Sequence, residues 1–190
     1  PAPADGPVGL LVIGGSQGAG LFGRVVPEAL ALLPEAMRGR LRLAQQVRPE
    51  DMERVRAVYD AMGVAAELSG FFEDVPARLA GASLVVSRAG ASSIADITVV
   101  GRPAVLIPYA AAMDDHQAAN AARLVSAGGA VMLREAELTA AGLAGHIAAI
   151  LGDPEGARAM AAASLGEGRP TATTDLAALV EELAQKGQRS

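Results

Sequence analysis

Residues 8–23 read VGLLVIGGSQGAGLFG, an apolar run, Val8–Ile13, that breaks into glycines and small polar residues. Such a run is too short for a buried helix and has the length of a strand covered on both faces. Glycine after a strand lets the backbone approach a ligand closely, and a following helix would aim free N–H groups at an anion. Working outward, the same unit recurs. Leu41–Gln45, Ala65–Leu68, Leu84–Ser87, Ala104–Ile107 and Ala130–Leu133 are further short apolar runs, mostly bounded by Gly, Ser or Pro. Helically spaced segments lie between them: Leu21–Leu33, Glu50–Met62, Val75–Ala80, Ser92–Val100, Asp115–Ala127 and Ala140–Leu151. Two more helices, around Glu155–Ala163 and Thr174–Ala184, are expected to close the chain. This alternation predicts an α/β fold: a doubly wound parallel sheet of about six strands, Rossmann-like, with right-handed crossovers. In such sheets ligands bind at the carboxyl ends of the strands, so the residues after each strand carry the information.

Composition narrows the function classes. At 190 residues the chain suits one domain with a full core. Apolar residues reach 51% but aromatics only 3%, so the core must be built from Ala, Val, Leu and Ile. Cysteine is absent, which removes disulfides and thiolate chemistry. The net charge of −5 argues against a duplex nucleic acid partner. With only two histidines, His116 and His146, a multi-histidine metal site is not expected; His146, in AGLAGHIAAI, reads as structural. No apolar run approaches the roughly 18 residues of a membrane span. Residues 1–7 read as a linker, 8–185 as the domain and 186–190 as a frayed tail.

The first strand exit invites two readings that fail. Gly18, Gly20 and Gly23 match G-x-G-x-x-G, but the fingerprint starts at the turn itself, and Gly18 lies beyond it. The acid that would hold a dinucleotide ribose is replaced by Gln45 and Gln46. Gly15 and Gly20 have P-loop spacing, but Leu21 stands where the lysine is needed. What remains is an anion cradle at Gly15, Ser16 and Gln17, or a plain tight turn.

The fourth exit, SRAGASSIADI (87–97), makes a second small-residue turn from Gly90, Ala91, Ser92 and Ser93. Ser92 or Ser93 suits a helix cap. Asp96 shares their face one turn on; it accepts from a ribose diol or simply favours the positive helix end. Arg88 faces a phosphate or pairs with an acid. The fifth exit, YAAAMDDHQAANAARL (109–124), opens a helix with Asp114 or Asp115 as N-cap. His116, Gln117 and Asn120 then share a face, and amides with an imidazole suit sugar hydroxyls. No nucleophile pattern supports a catalytic histidine.

GGSQGA (14–19), SRAGASSIADI (87–97) and IPYAAAMDDHQAANA (107–121), in this order and spacing, resemble the MurG family of GT-B glycosyltransferases over about residues 8–151. The resemblance implies the C-terminal, donor-binding half of an enzyme that transfers GlcNAc from UDP-GlcNAc to lipid I, forming lipid II in peptidoglycan synthesis. It implies that Ser16, with the backbone of Gly15 and Gln17, meets the diphosphate. Phe71 and Phe72, in SGFFEDVP (69–76), stand where the family's backbone reads the uracil edge. Gly90, Ala91, Ser92 and Ser93 stand at the turn near the phosphates, Asp96 at the ribose acid, and His116, Gln117 and Asn120 at the sugar. Three departures are visible. Asp96 is one methylene shorter than the family's usual Glu, Ser92-Ser93 replaces an apolar–Thr pair, and Ala110–Ala112 is unusually bland.

The family's acceptor loop, with its base and membrane-facing patch, belongs to an N-terminal half that this chain does not supply. No catalytic residue is therefore expected here, and the chain alone is expected to bind donor without turnover. Lipid I and the membrane would be met through the missing half, with the whole protein peripheral on the cytoplasmic face of the inner membrane. No Asp-x-Asp motif appears, so oriented amides and helix dipoles are expected to hold the diphosphate without a metal or other cofactor. The alternatives are another GT-B UDP-glycosyltransferase, a UDP-GlcNAc epimerase-like protein, or a nucleotide- or dinucleotide-binding module.

Overall fold

Each short apolar run forms a strand: β1 (Val8–Ile13), β2 (Leu41–Gln46), β3 (Ala65–Ser69), β4 (Leu84–Ser87), β5 (Ala104–Leu106) and β6 (Ala130–Met132). The computed structural model describes residues 6–112, 115–172, 174, 177 and 180, and the side chains of 15–19 lie outside that description. The strands pair in parallel throughout, in the order β3-β2-β1-β4-β5-β6. Sequence order therefore reverses between β1 and β4, the switch point at which a doubly wound sheet opens a crevice. Ile107 and Leu133, expected inside β5 and β6, lie just past them, though their amides still bond Ser87 O and Leu106 O.

The helices are α1 (Gly15–Ala31), α2 (Glu35–Arg38), α3 (Met52–Ala61), α4 (Val75–Gly81), α5 (Ala91–Val100), α6 (His116–Ser126), α7 (Ala140–Gly152) and α8 (Pro154–Gly166). The helix expected around Thr174–Ala184 lies largely outside the described residues. Side chains alternate across the pleat. Leu10, Val12, Leu41 and Leu43 point into one core with Phe22, Val26 and Leu30 of α1 and Val55 and Tyr59 of α3. Leu11, Val85 and Leu106 point into the other, with Leu79 of α4, Ile97 of α5 and Leu124 of α6. Gly9 is fixed by this closure: a Cβ there would lie 2.5 Å from Gly81 O.

Two local expectations are corrected. The chain enters α1 at Gly15, not at Leu21. Glycine costs roughly 1 kcal/mol per helical position against alanine, but the buried stripe Phe22, Val26 and Leu30 anchors the helix, and Gln46 Oε1 accepts from Gly14 N at 3.1 Å to fix its entry. The short α2 was not anticipated; Pro34, at its N-cap, carries a non-helical ψ of 140°.

Gln45 is fully buried and joins three elements. Its Nε2 donates to Phe22 O at 3.1 Å, and its Oε1 accepts from Tyr59 Oη at 2.5 Å. Burial pushes the Tyr59 phenol far above its ordinary range, so the donor stays protonated. Tyr59→Phe strands the Gln45 oxygen in the core. The substitution is expected to lower the unfolding free energy by about 1–3 kcal/mol, measured by urea denaturation with the slope unchanged.

Candidate functional site

Parallel pairing brings all six strand exits to one edge of the sheet. At the switch point the exits of β1, β3 and β4 border a cleft of about 230 Å³, lined among others by Ile13, Gln46, Phe71, Ser93 and Asp96. Two helices open there, and the N-cap of each is a glycine: Gly14 for α1 and Gly90 for α5, neither with a side-chain cap. Their first amides are thus left without side-chain acceptors, the arrangement that takes up an anion. Gly15, Ser16 and Gln17 form the opening turn of α1; their side chains lie outside the described ones. Ser92 and Ser93 do not cap α5, because the helix has begun at Ala91 and both are already helical. Ser92 is exposed; Ser93 is half-buried and lines the cleft beside exposed Asp96.

The loop after β3 divides the two phenylalanines. Phe71 is exposed at the cleft, whereas Phe72 is buried in the second core. Ser69 Oγ donates to Phe71 O at 2.5 Å and accepts from Phe71 N at 3.3 Å. Both backbone groups of Phe71 are therefore engaged.

The β5 exit is braced from α6. Gln117 Oε1 accepts from Ala89 N at 3.2 Å and Tyr109 N at 3.0 Å, and Asn120 Nδ2 donates to Ala89 O at 3.3 Å. The two amides expected at the sugar hold the β4 and β5 exits together, leaving the Gln117 NH2 as the outward donor. His116 is exposed at the first position of α6. Asp115 occupies the N-cap with a left-handed φ of 52° but caps nothing; its carboxylate accepts from Arg134 Nη1 at 3.0 Å. Asp114 lies outside the described residues. A larger groove of about 430 Å³ between α5 and α6 brings Ala91 and Asn120 together, bounded by Arg123 and Glu167. His146 is half-buried on α7.

Arg88 turns inward, away from the phosphate-facing position expected for it. It is 5% exposed. Its Nη1 donates to Ile107 O and Pro108 O, each at 3.2 Å, and to Glu135 Oε2 at 2.8 Å. The guanidinium stands between the rings of Phe22 and Tyr109. Glu135 Oε2 also accepts from Ala110 N at 3.1 Å. Sequence reasoning missed Glu135 altogether. It missed Arg48 as well, whose guanidinium lies 2.9 Å from where a Gly20 Cβ would stand and holds only a long 3.9 Å ion pair to Glu50. The one available signal was the absence of a side chain at Gly20.

Burial pushes the Glu135 carboxyl upward, but the Arg88 hydrogen bond, the Ala110 amide and the Arg88 charge outweigh it and hold the group below its ordinary 4.5. A depressed folded value gives stability that is present above pH about 4.5 and is lost as pH falls through the lowered value. Hydrogen exchange at the Ala110 amide is expected to be slow near neutral pH and to gain an opening step in acid. Glu135→Gln is expected to flatten that dependence; an unchanged acid step in the variant would contradict the assignment.

Residues 9–179 match the glycosyltransferase family 28 C-terminal domain. The chain is 51% identical over 177 residues to the UDP-N-acetylglucosamine–N-acetylmuramyl-(pentapeptide) pyrophosphoryl-undecaprenol N-acetylglucosamine transferase of Paramagnetospirillum magneticum, covering 93% of this chain and 48% of that protein. It is 49% identical over 183 residues to the Sinorhizobium fredii enzyme of the same name, covering 96% and 49%. The crystal structure of Acinetobacter baumannii MurG superposes with a TM-score of 0.84 at 27% identity, over 94% of this chain and 53% of that one. The chain spans about half the length of the curated relatives it matches. On these matches and on its all-parallel six-stranded sheet, the chain belongs to glycosyltransferase family 28, as its C-terminal domain.

Proposed function

We propose that the chain is the donor half of an inverting glycosyltransferase, which binds UDP-N-acetylglucosamine for transfer of GlcNAc to lipid I, forming lipid II. The observation that carries this reading is the convergence of Ile13, Phe71, Ser93 and Asp96 on one cleft between two uncapped helix starts. The order of features along the cleft fits an extended nucleoside diphosphate sugar. The diphosphate lies against the first turns of α1 and α5, where Ser16 and the amides of Gly15 and Gln17 meet it. Asp96 accepts from the ribose diol, reaching closer than a Glu would need to. The base lies at the loop after β3, against the backbone of Phe72. The sugar lies toward Gln117 and Asn120, with His116 beside them.

Chemically, departure of UDP concentrates negative charge on the β-phosphate. Preorganised amides and positive helix ends stabilise that charge without reorganising. Arg48, beside the second turn of α1, adds a cation on the β2 side. Donor binding on these terms needs no divalent metal. The acceptor hydroxyl and its base must be held against the anomeric carbon for reaction, and we assign both to a partner half outside this chain, together with contact to the cytoplasmic membrane face. Among the described residues no helix is long and apolar enough to cross a membrane.

Calorimetric titration tests the reading. UDP-GlcNAc is expected to bind in the presence of EDTA, and more tightly than UDP-Glc or UDP-GalNAc. Asp96→Ala is expected to cost about 1.5–3 kcal/mol of affinity, the worth of hydrogen bonds to a charged acceptor. Strict dependence on magnesium would overturn the amide cradle. Lipid II formation by the isolated chain would overturn the division of labour, and epimer formation from UDP-GlcNAc alone would replace transfer with epimerisation.

A further inference from the structure

Arg78, on the first turns of α4, is the most heavily engaged surface cation among the described residues, and no step of the donor reading uses it. Its Nη1 and Nη2 form a fork onto Glu67 of β3, at 2.8 and 2.7 Å. Its Nε donates to Asp74 Oδ1 at 2.6 Å. The guanidinium carbon sits 3.9 Å from the centre of the Phe72 ring. One side chain thus ties the last turn of β3, the loop that follows it and the start of α4. Its side chain is only 18% exposed, so this is no loose surface pair of the kind worth little. A planar fork fixes geometry in a way a point charge does not.

What the clamp fixes is a backbone edge. Ser69 already engages the N–H and C=O of Phe71. The N–H and C=O of Phe72 have no partner among the described residues, while its ring is sealed in the core at 3% exposed. The Phe72 ring therefore sets the direction of an unpaired donor and acceptor at the mouth of the cleft, and Arg78 caps that ring from outside. The Arg78 hydrogen bonds hold the Glu67 and Asp74 carboxyls below their ordinary values, so the clamp stays ionised at neutral pH.

We propose that Arg78, anchored by Glu67, is a positioning residue that sets nucleobase selectivity by fixing the Phe72 backbone edge. This rests on the donor reading above. Uracil offers a ring N–H beside a carbonyl, and a backbone C=O and N–H complement that pair. Cytosine presents an acceptor and an exocyclic donor in the same places, the reverse polarity. A rigid edge rejects the reversed pattern because its polar groups would meet like with like, whereas a loosened loop can retreat and let water intervene.

The test is the ratio of UDP to CDP affinity, measured by calorimetry on this chain and its variants. Wild type is expected to prefer UDP. Arg78→Ala is expected to lose UDP affinity by about tenfold, the scale of one well-made hydrogen bond, with CDP affinity little changed, so that the ratio collapses. Glu67→Gln keeps size and one hydrogen bond but breaks the fork, and is expected to fall between. A merely structural role would weaken both ligands together, or lower only the melting temperature, and leave the ratio intact; that result overturns the proposal. If Arg78→Ala does not fold, an unchanged ratio in Glu67→Gln overturns it equally. Failure of wild type to bind UDP would overturn the donor reading and this inference with it, whereas binding with an unmoved ratio sinks the inference alone.

Discussion

Parallel strands all end at the same edge of a sheet, and that constraint organises everything else in this chain. A hairpin can return at either end, but a parallel neighbour must be reached by a crossover, so each strand delivers its next residues to a common rim. Residues 14, 71, 93 and 96, scattered along the sequence, meet because of this rule. The reversal of order between β1 and β4 then splits the helices to opposite faces. The starts of α1 and α5 thus flank a gap, where consecutive strand order would have packed them side by side. Gly9 makes the split possible, since the backbone at Gly81 must close directly against β1.

The rim is held from behind, not by the groups that face outward. Gln46 takes the Gly14 amide, Gln117 takes those of Ala89 and Tyr109, and Asn120 holds the Ala89 carbonyl. Each is an amide side chain meeting backbone groups that have left the strand ladder but are too buried for free exchange with water. Such groups cost free energy if left unpaired. The same bonds that satisfy them fix the direction of the neighbouring free amides. Arg88 and Glu135 do this for the β5 exit at the greatest sequence separation. Preorganisation of a binding edge here follows from satisfying the backbone.

The sheet was legible because strands buried on both faces are written as short unbroken apolar runs. Val8–Ile13 and Leu84–Ser87 are found with the bounds the sequence predicts. The start of α1 was not legible, since its glycines argue locally for a loop; packing of Phe22, Val26 and Leu30 overrides that preference. Ser92 and Ser93 look like caps by residue type, yet a cap must be non-helical, and the fold starts α5 too early for either. Phe71 and Asp96 were found because they follow strands directly. The inward turn of Arg88 was hidden, because its partner Glu135 comes from the far side of β6 and no local pattern announces it. Arg78 was hidden for the same reason, its acids lying on two different elements.

Pairing Arg88 with Glu135 has an electrostatic consequence for a chain of net charge −5. A buried arginine near the crevice would be the obvious counter-charge for a diphosphate, but its field is spent on a carboxylate 2.8 Å away. What remains at the rim is the positive ends of α1 and α5 and the exposed Arg48. Helix-end fields decay within about a turn and act through amides held at hydrogen-bond distance, whereas free surface cations act over a Debye length and are screened by salt. A site built mainly on amides therefore discriminates by contact geometry more than by long-range attraction. It recognises a diphosphate that fits between two helix starts and gives little advantage to other polyanions, which an acidic surface already repels.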